Sequence, residues 1–139
     1  MSGDPLGKAE LQERLGHSAV IDFLGLTVLR VEPENDAVVM RAAMRPEFER
    51  GRGSGQWHGG PIAAIVDTVG DYALVMRLGR PLPTINFRID YLRPAIDTAL
   101  VVTAHVRRAG RLIGVVDVEV ANEKGDLIAI GRANYATAT

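Results

Sequence analysis

Cysteine is missing from the 139 residues, which removes disulfides, thiol nucleophiles and cysteine-based metal sites together. Aromatic residues are scarce, at 5% beside a hydrophobic share of 47%, so the interior has to be built mainly from Val, Ile, Leu and Ala. Neither sign of charge dominates. The 16 Lys and Arg against 17 Asp and Glu leave a net charge of -1, which gives no general attraction to nucleic acid or to an anionic membrane. No apolar run reaches the ~20 residues of a membrane span and Met1 to Leu15 has no apolar signal core, so a cytoplasmic protein is expected. Repeats, linkers and low-complexity segments are absent too, and the length suits one domain over residues 1–139. The apolar share is high for so small a chain, which self-association would explain. Arginine greatly outnumbers lysine, and its fork suits phosphates and carboxylates.

What is present is organised around GSGQWHGGPIAAIVDTVGDYALVMRLG, from Gly53 to Gly79. From Ile62 onward this stretch is apolar on every side and predicts a buried helix over 60–78. Pro61 suits its first turn, Gly59 and Gly60 allow close approach to the backbone, and Gly79 ends it. Leaving aside Tyr72 and the last-turn Arg77, its polar side chains are Asp67, Thr68 and Asp71. A buried carboxylate is costly, and two of them four residues apart share a face, so at least one pKa is pushed upward.

A helix N-terminus with free N–H groups is a ready site for a developing oxyanion. Gly59 at that end and Asp67 further along are thus two halves of an acyl-transfer site. Eight residues at about 1.5 Å rise separate them by roughly 12 Å, so one helix cannot bring both to one carbonyl. Two antiparallel copies can, and a symmetric dimer would hold two such sites.

The rest of the chain supplies a wrapper. Residues 1–23 form an N-terminal helical segment behind a loose MSGDPLGK opening, with a short helix over Ala9 to Leu15 and a further turn capped by Ser18. Leu26 to Val31 and Ala37 to Met44 read as a hairpin about the PEND turn. Arg45 to Trp57 is a polar, glycine-rich loop carrying Arg45, Arg50 and Arg52; it lacks the ending of a phosphate loop. Strands follow over Thr84 to Tyr91, Leu100 to Arg108, Leu112 to Asn122 and Leu127 to Tyr135, joined by hairpin-length turns. In the third of these, Leu112, Gly114, Val116, Val118 and Val120 are expected on the core side. An antiparallel sheet around one apolar helix, an α+β hotdog arrangement, is the fold this order predicts.

These residues resemble a known family, the small hotdog-fold acyl-CoA thioesterases of the phenylacetate-degradation type. The match lies in His58-Gly59-Gly60, in Asp67-Thr68, in TINFRIDYLRPA from Thr84 to Ala95, and in the segment from Gly110 to Gly131. The resemblance implies a hydrolase acting on an acyl-CoA thioester, with no separate cofactor, because coenzyme A is part of the substrate. It implies Asp67 as the carboxylate that attacks the thioester or activates water, and the Gly59 N–H as the group that polarises the carbonyl from the neighbouring subunit. Thr84 falls where a hydroxyl helps hold the water, Asp71 where other members carry a Thr, and Arg52 where relatives have Asn or Gln. The resemblance also implies a dimer as the minimum active unit and a homotetramer as the full assembly.

Of the other site candidates, His58 and Gly60 belong to the helix entry, and the bracing role is the commoner one for a lone His. Trp57 and Thr68 are set beside the acyl pocket, with plain packing as the alternative for Trp57. Arg88 and Arg93 are candidates for the coenzyme A phosphates, and solubility is the alternative for either. Two further readings of the whole chain stand beside hydrolysis: a hydratase or dehydratase with a working imidazole, and a non-catalytic acyl-CoA binder.

Overall fold

A computed structural model describes residues 3–139. In chain order its elements are α1 (Lys8–Leu15), α2 (Ala19–Leu24), β1 (Leu26–Glu32), β2 (Ala37–Ala42), α3 (Gly59–Leu78), β3 (Thr84–Tyr91), β4 (Leu100–Ala109), β5 (Ile113–Asn122) and β6 (Leu127–Ala136). The strands form one antiparallel sheet in the order β1-β2-β4-β5-β6-β3. The helix lies against it, so the hotdog arrangement is the one observed.

Burial explains why α3 sits at the centre. Ile65, Val66, Val69, Leu74 and Met76 have no exposed surface, and each large apolar side chain so buried contributes about 1.5–3 kcal/mol. They meet Val28, Met40, Leu100, Val102, Val118 and Ile128 from the sheet in one core. His58 is the N-cap and Gly79, in the left-handed conformation at φ 75, closes the other end. The helix is not covered all round, however. Ala63, Ala64, Asp67, Thr68 and Asp71 are only half-buried and Gly60 is exposed. These positions recur every three or four residues, so they form one stripe along a face that the chain's own sheet does not reach.

Two connections depart from the expected meander. The strand after α3 does not hairpin into β4: β3 crosses to the far edge and pairs with β6, leaving β4 to join β2 and β5. Leu112 is 58% exposed and lies in the β4–β5 turn rather than on the core side, whereas Gly114, Val116, Val118 and Val120 are buried as expected. The alternation stops at Ile113 because Gly110 and Ile113 are already closing the turn, with the Gly110 N–H on the Ile113 carbonyl at 3.0 Å.

In the N-terminal segment, Ser18 does cap α2, its hydroxyl accepting from the Ile21 N–H. Residues 1–2 lie outside the described residues. Leu6 is anchored rather than loose, its N–H bonded to the Met76 carbonyl at 2.9 Å.

One irregularity sits at the start of β3. Thr84 pairs with Tyr135 and Asn86 with Asn134, so two steps along β3 match one along β6. Ile85 is the extra residue of a β-bulge, which bends a strand and re-aims its side chains.

Candidate active site

The loop before α3 is fixed so that it delivers His58 and Gly59 to one place. Trp57 is buried, its indole N–H donates to the Thr98 carbonyl at 2.9 Å, and its ring stacks on Phe48 at 5.3 Å between centroids. The Trp57 N–H bonds the Ala95 carbonyl and the His58 N–H bonds the Phe48 carbonyl, at 2.9 and 2.8 Å. Upstream, the Glu49 carboxylate ties down the Gly53 and Gly55 N–H groups. Trp57 thus acts mainly as an anchor, while it also touches the cleft at the helix entry.

That cleft, about 460 Å³, is lined by Arg50, His58, Gly59, Ile62, Tyr91 and Arg93 among others. His58 Nδ1 accepts from the Gly60 N–H at 3.4 Å, which is the bracing role. Among the described residues no acceptor meets the Gly59 N–H. A positive helix end and two arginines therefore face the same space.

Along the half-buried stripe, Asp67 Oδ1 accepts from the Thr84 hydroxyl at 2.8 Å. The bulge makes this contact possible. Thr84 and Ile89 are an odd number apart and would point to opposite sides of a regular strand, yet the extra residue turns Thr84 toward the helix. Asp71, one turn on, accepts from the Leu82 N–H at 3.3 Å. Burial pushes its carboxyl up to about 7, the Leu82 bond opposes this, and the nearby Asp67 adds to it. Asp71 also lines a separate cleft of about 440 Å³ with Ile21, Tyr72, Val75 and Pro81. The Thr68 hydroxyl donates to the Ala64 carbonyl at 2.8 Å, a bond within its own helix.

The remaining candidates are scattered. Arg52 lies in a surface groove with Pro46, Glu47, Glu49 and Arg50, and of these two arginines Arg50 is the one that also lines the helix entry. Arg88 is on the outer side of the sheet, bonded to Asp90 at 3.1 Å. Arg93 lines the entry cleft and lies 3.7 Å from Asp126. One chain thus brings Asp67 and Thr84 together and, separately, His58, Gly59, Gly60 and Arg93.

Two tyrosines complete the picture. The Tyr91 hydroxyl donates to the Gly59 carbonyl and the Tyr135 hydroxyl donates to the Asp67 carbonyl, each at 2.7 Å. Alternation along TINFRIDY puts Tyr91 on the side of Ile89, a readable signal for the first; nothing local marks the second.

A family model described as "Thioesterase superfamily" matches residues 54–129. Over 92 residues the chain is 35% identical to human acyl-coenzyme A thioesterase 13, covering 64% of this chain and 66% of that one. It is 31% identical to a Halobacterium salinarum protein whose name assigns it provisionally as an esterase, over 91% and 89% of the two chains. Among solved structures, zebrafish thioesterase superfamily member 2 superposes with a TM-score of 0.83 at 26% identity, covering 96% and 99%. The Escherichia coli PaaI protein gives 0.78 at 25% identity, covering 93% and 89%. A family match over more than half its length, with a relative alike along nearly all of it, shows that the chain belongs to the thioesterase superfamily.

Proposed function

We propose that the chain hydrolyses acyl-CoA thioesters, with Asp67 as nucleophile or general base and the Gly59 N–H of a second copy polarising the carbonyl. One observation carries this reading: the Asp67 carboxylate, held by Thr84, lies half-open on a helix face that the chain leaves uncovered. The unpaired Gly59 N–H at roughly 12 Å needs a partner helix to meet it. The names of relatives support the substrate, the human protein as an acyl-coenzyme A thioesterase and an Escherichia coli one as a medium/long-chain acyl-CoA thioesterase.

The edge strand supports the dimer. Ile85 and Phe87 of β3 are 50% and 38% exposed, and an open apolar edge is a template for pairing with a second chain. A two-fold axis perpendicular to β3 at that edge would run β3 antiparallel to its copy and the two α3 helices antiparallel to each other, each N-terminus beside the partner helix's acid. A tetramer of two such dimers is the assembly we expect, and light scattering reads it directly.

In the nucleophilic form, an Asp67 oxygen bonds to the acyl carbon while the C–S bond breaks, and the coenzyme A thiolate leaves with the electron pair. Water then splits the mixed anhydride, giving the free acid and restoring the carboxylate. In the general-base form Asp67 takes a proton from the water that attacks. Either way the negative charge that grows on the carbonyl oxygen falls at a helix N-terminus, where N–H donors are worth most. Arg50 and Arg93, flanking the entry cleft, suit the phosphates of coenzyme A. His58, engaged as a cap, favours this reading over a hydratase, which needs the imidazole as a working base.

Release of free thiol from short, medium, long and aryl acyl-CoAs by wild type and by Asp67→Asn tests the proposal. Hydrolysis by wild type with a loss of at least ~100-fold in the variant supports it. Binding of acyl-CoA without thiol release by either protein would instead establish an acyl-CoA binder.

A further inference from the structure

The Gly59–Gly60 peptide is held at both of its polar ends. Its carbonyl accepts from the Tyr91 hydroxyl at 2.7 Å, and its N–H meets His58 Nδ1 at 3.4 Å. Tyr91 also packs against Gly59, close enough that a Cβ at that position would stand 3.4 Å from both Cζ and the hydroxyl oxygen.

Ordinary structural needs do not call for the phenol bond. A helix lacks partners for its first N–H groups, not for its first carbonyls, which already accept from four residues on. Tyr91 is 51% exposed and its phenol is only partly desolvated, so burial does not force it to find a protein acceptor. Two consecutive glycines, on the other hand, give this helix start unusual backbone freedom. The His58–Gly59 peptide, which carries the Gly59 N–H, lies between this peptide and the Trp57–His58 peptide tied to Phe48, so holding both flanks limits how that N–H can turn.

We propose that Tyr91, with His58, is a positioning residue that clamps the Gly59–Gly60 peptide so that the Gly59 N–H points at the carbonyl to be polarised. This rests on the thioesterase reading above. The clamp comes from the chain's own β3, so each subunit sets the donor that serves its partner's Asp67.

Tyr91→Phe is the decisive variant, because it keeps the ring on Gly59 and removes the hydroxyl alone. In the acyl-CoA that wild type cleaves fastest, we expect kcat to fall about 10-fold with KM within about 2-fold, because the ground-state contacts remain while the donor loses its aim. The unfolding midpoint should not move. In spectra of protein labelled with 15N-glycine, the Gly59 and Gly60 amide signals should shift, Gly60 most, since its nitrogen shares the peptide whose carbonyl loses its donor. His58→Ala should move the same two signals and lower kcat in the same direction.

Unchanged Gly59 and Gly60 signals, or an unchanged kcat in an active enzyme, would overturn the clamp. Failure of the reading beneath it looks different: wild type and variant alike would release no thiol from any acyl-CoA.

Discussion

The hydroxyl of Tyr135 reaches the backbone of α3 only because residue 70 has no side chain: a Cβ on Gly70 would stand 2.4 Å from that oxygen. The phenol is buried, and desolvation, with the charge of Asp67, pushes its pKa well above the ordinary phenol range, so it remains a donor at every working pH. Through the 2.7 Å bond to the Asp67 carbonyl, the closing strand fixes where the acid stands on the helix.

Gly70→Ala should therefore destabilise the protein by about 1–3 kcal/mol through overpacking, despite the gain of about 1 kcal/mol that alanine ordinarily brings to a helix. With Tyr135→Phe added, the nearest ring atom lies 3.4 Å from the new Cβ, an ordinary contact. The double variant should be more stable than Gly70→Ala alone. Denaturant midpoints of the three variants close the cycle.

Asp71 makes stability depend on pH. Its folded pKa of about 7 lies above the unfolded value near 3.8, so the folded state holds its proton longer as pH rises. Stability is then full below about pH 4, falls between about 4 and 7, and stays lowered above 7, by up to about 4 kcal/mol for this one group. Asp71→Asn should flatten that slope and leave the variant more stable than wild type at pH 8. Thermal melts at pH 5 and pH 8 check it.

Thr84→Val removes the hydroxyl that donates to the Asp67 carboxylate while keeping shape and strand preference. On the proposed mechanism kcat should fall about 10-fold, within the usual contribution of an oriented proton-transfer partner. Stability should change by less than about 1 kcal/mol, because the hydroxyl is exposed. Steady-state kinetics beside a denaturant curve separate the two effects.

A site shared between subunits can be complemented. Asp67→Asn and Gly59→Pro chains, each inactive alone, should regain activity when mixed, since a mixed dimer joins an intact Gly59 to an intact Asp67 at one of its two sites. If each chain held a whole site, mixing would recover nothing. In the same spirit, Phe87→Glu on the β3 edge should shift the protein to monomer in sedimentation velocity and abolish turnover.

The fold was legible because its two periods are strong. The apolar run after Pro61 marked α3 to within one residue, and the strand alternation placed Gly114 through Val120 on the core side. The position of β3 was not legible. Its alternation tells which side faces the core but not which neighbour it takes, and adjacency in sequence wrongly suggested β4. Similarly, the apolar content of α3 hid its open stripe, because Ala63 and Ala64 look like core residues until the reach of the sheet is known. Asp67 and Gly59 were singled out by chemical reasoning about buried acids and helix ends. Tyr135 was not, since a contact 68 residues away leaves no local trace.

The bulge at Ile85 lets the chain carry one more edge residue without moving its acid's partner. Deleting Ile85 would leave Thr84 and Ile89 four apart, an even number, so a regular ladder between β3 and β6 would still turn the Thr84 hydroxyl toward Asp67. A lineage could therefore gain or lose this single codon while its acid kept its hydroxyl partner. A gap at this place in an alignment of hotdog descendants would then mark a change in the apolar edge, with the pair on the helix still in place.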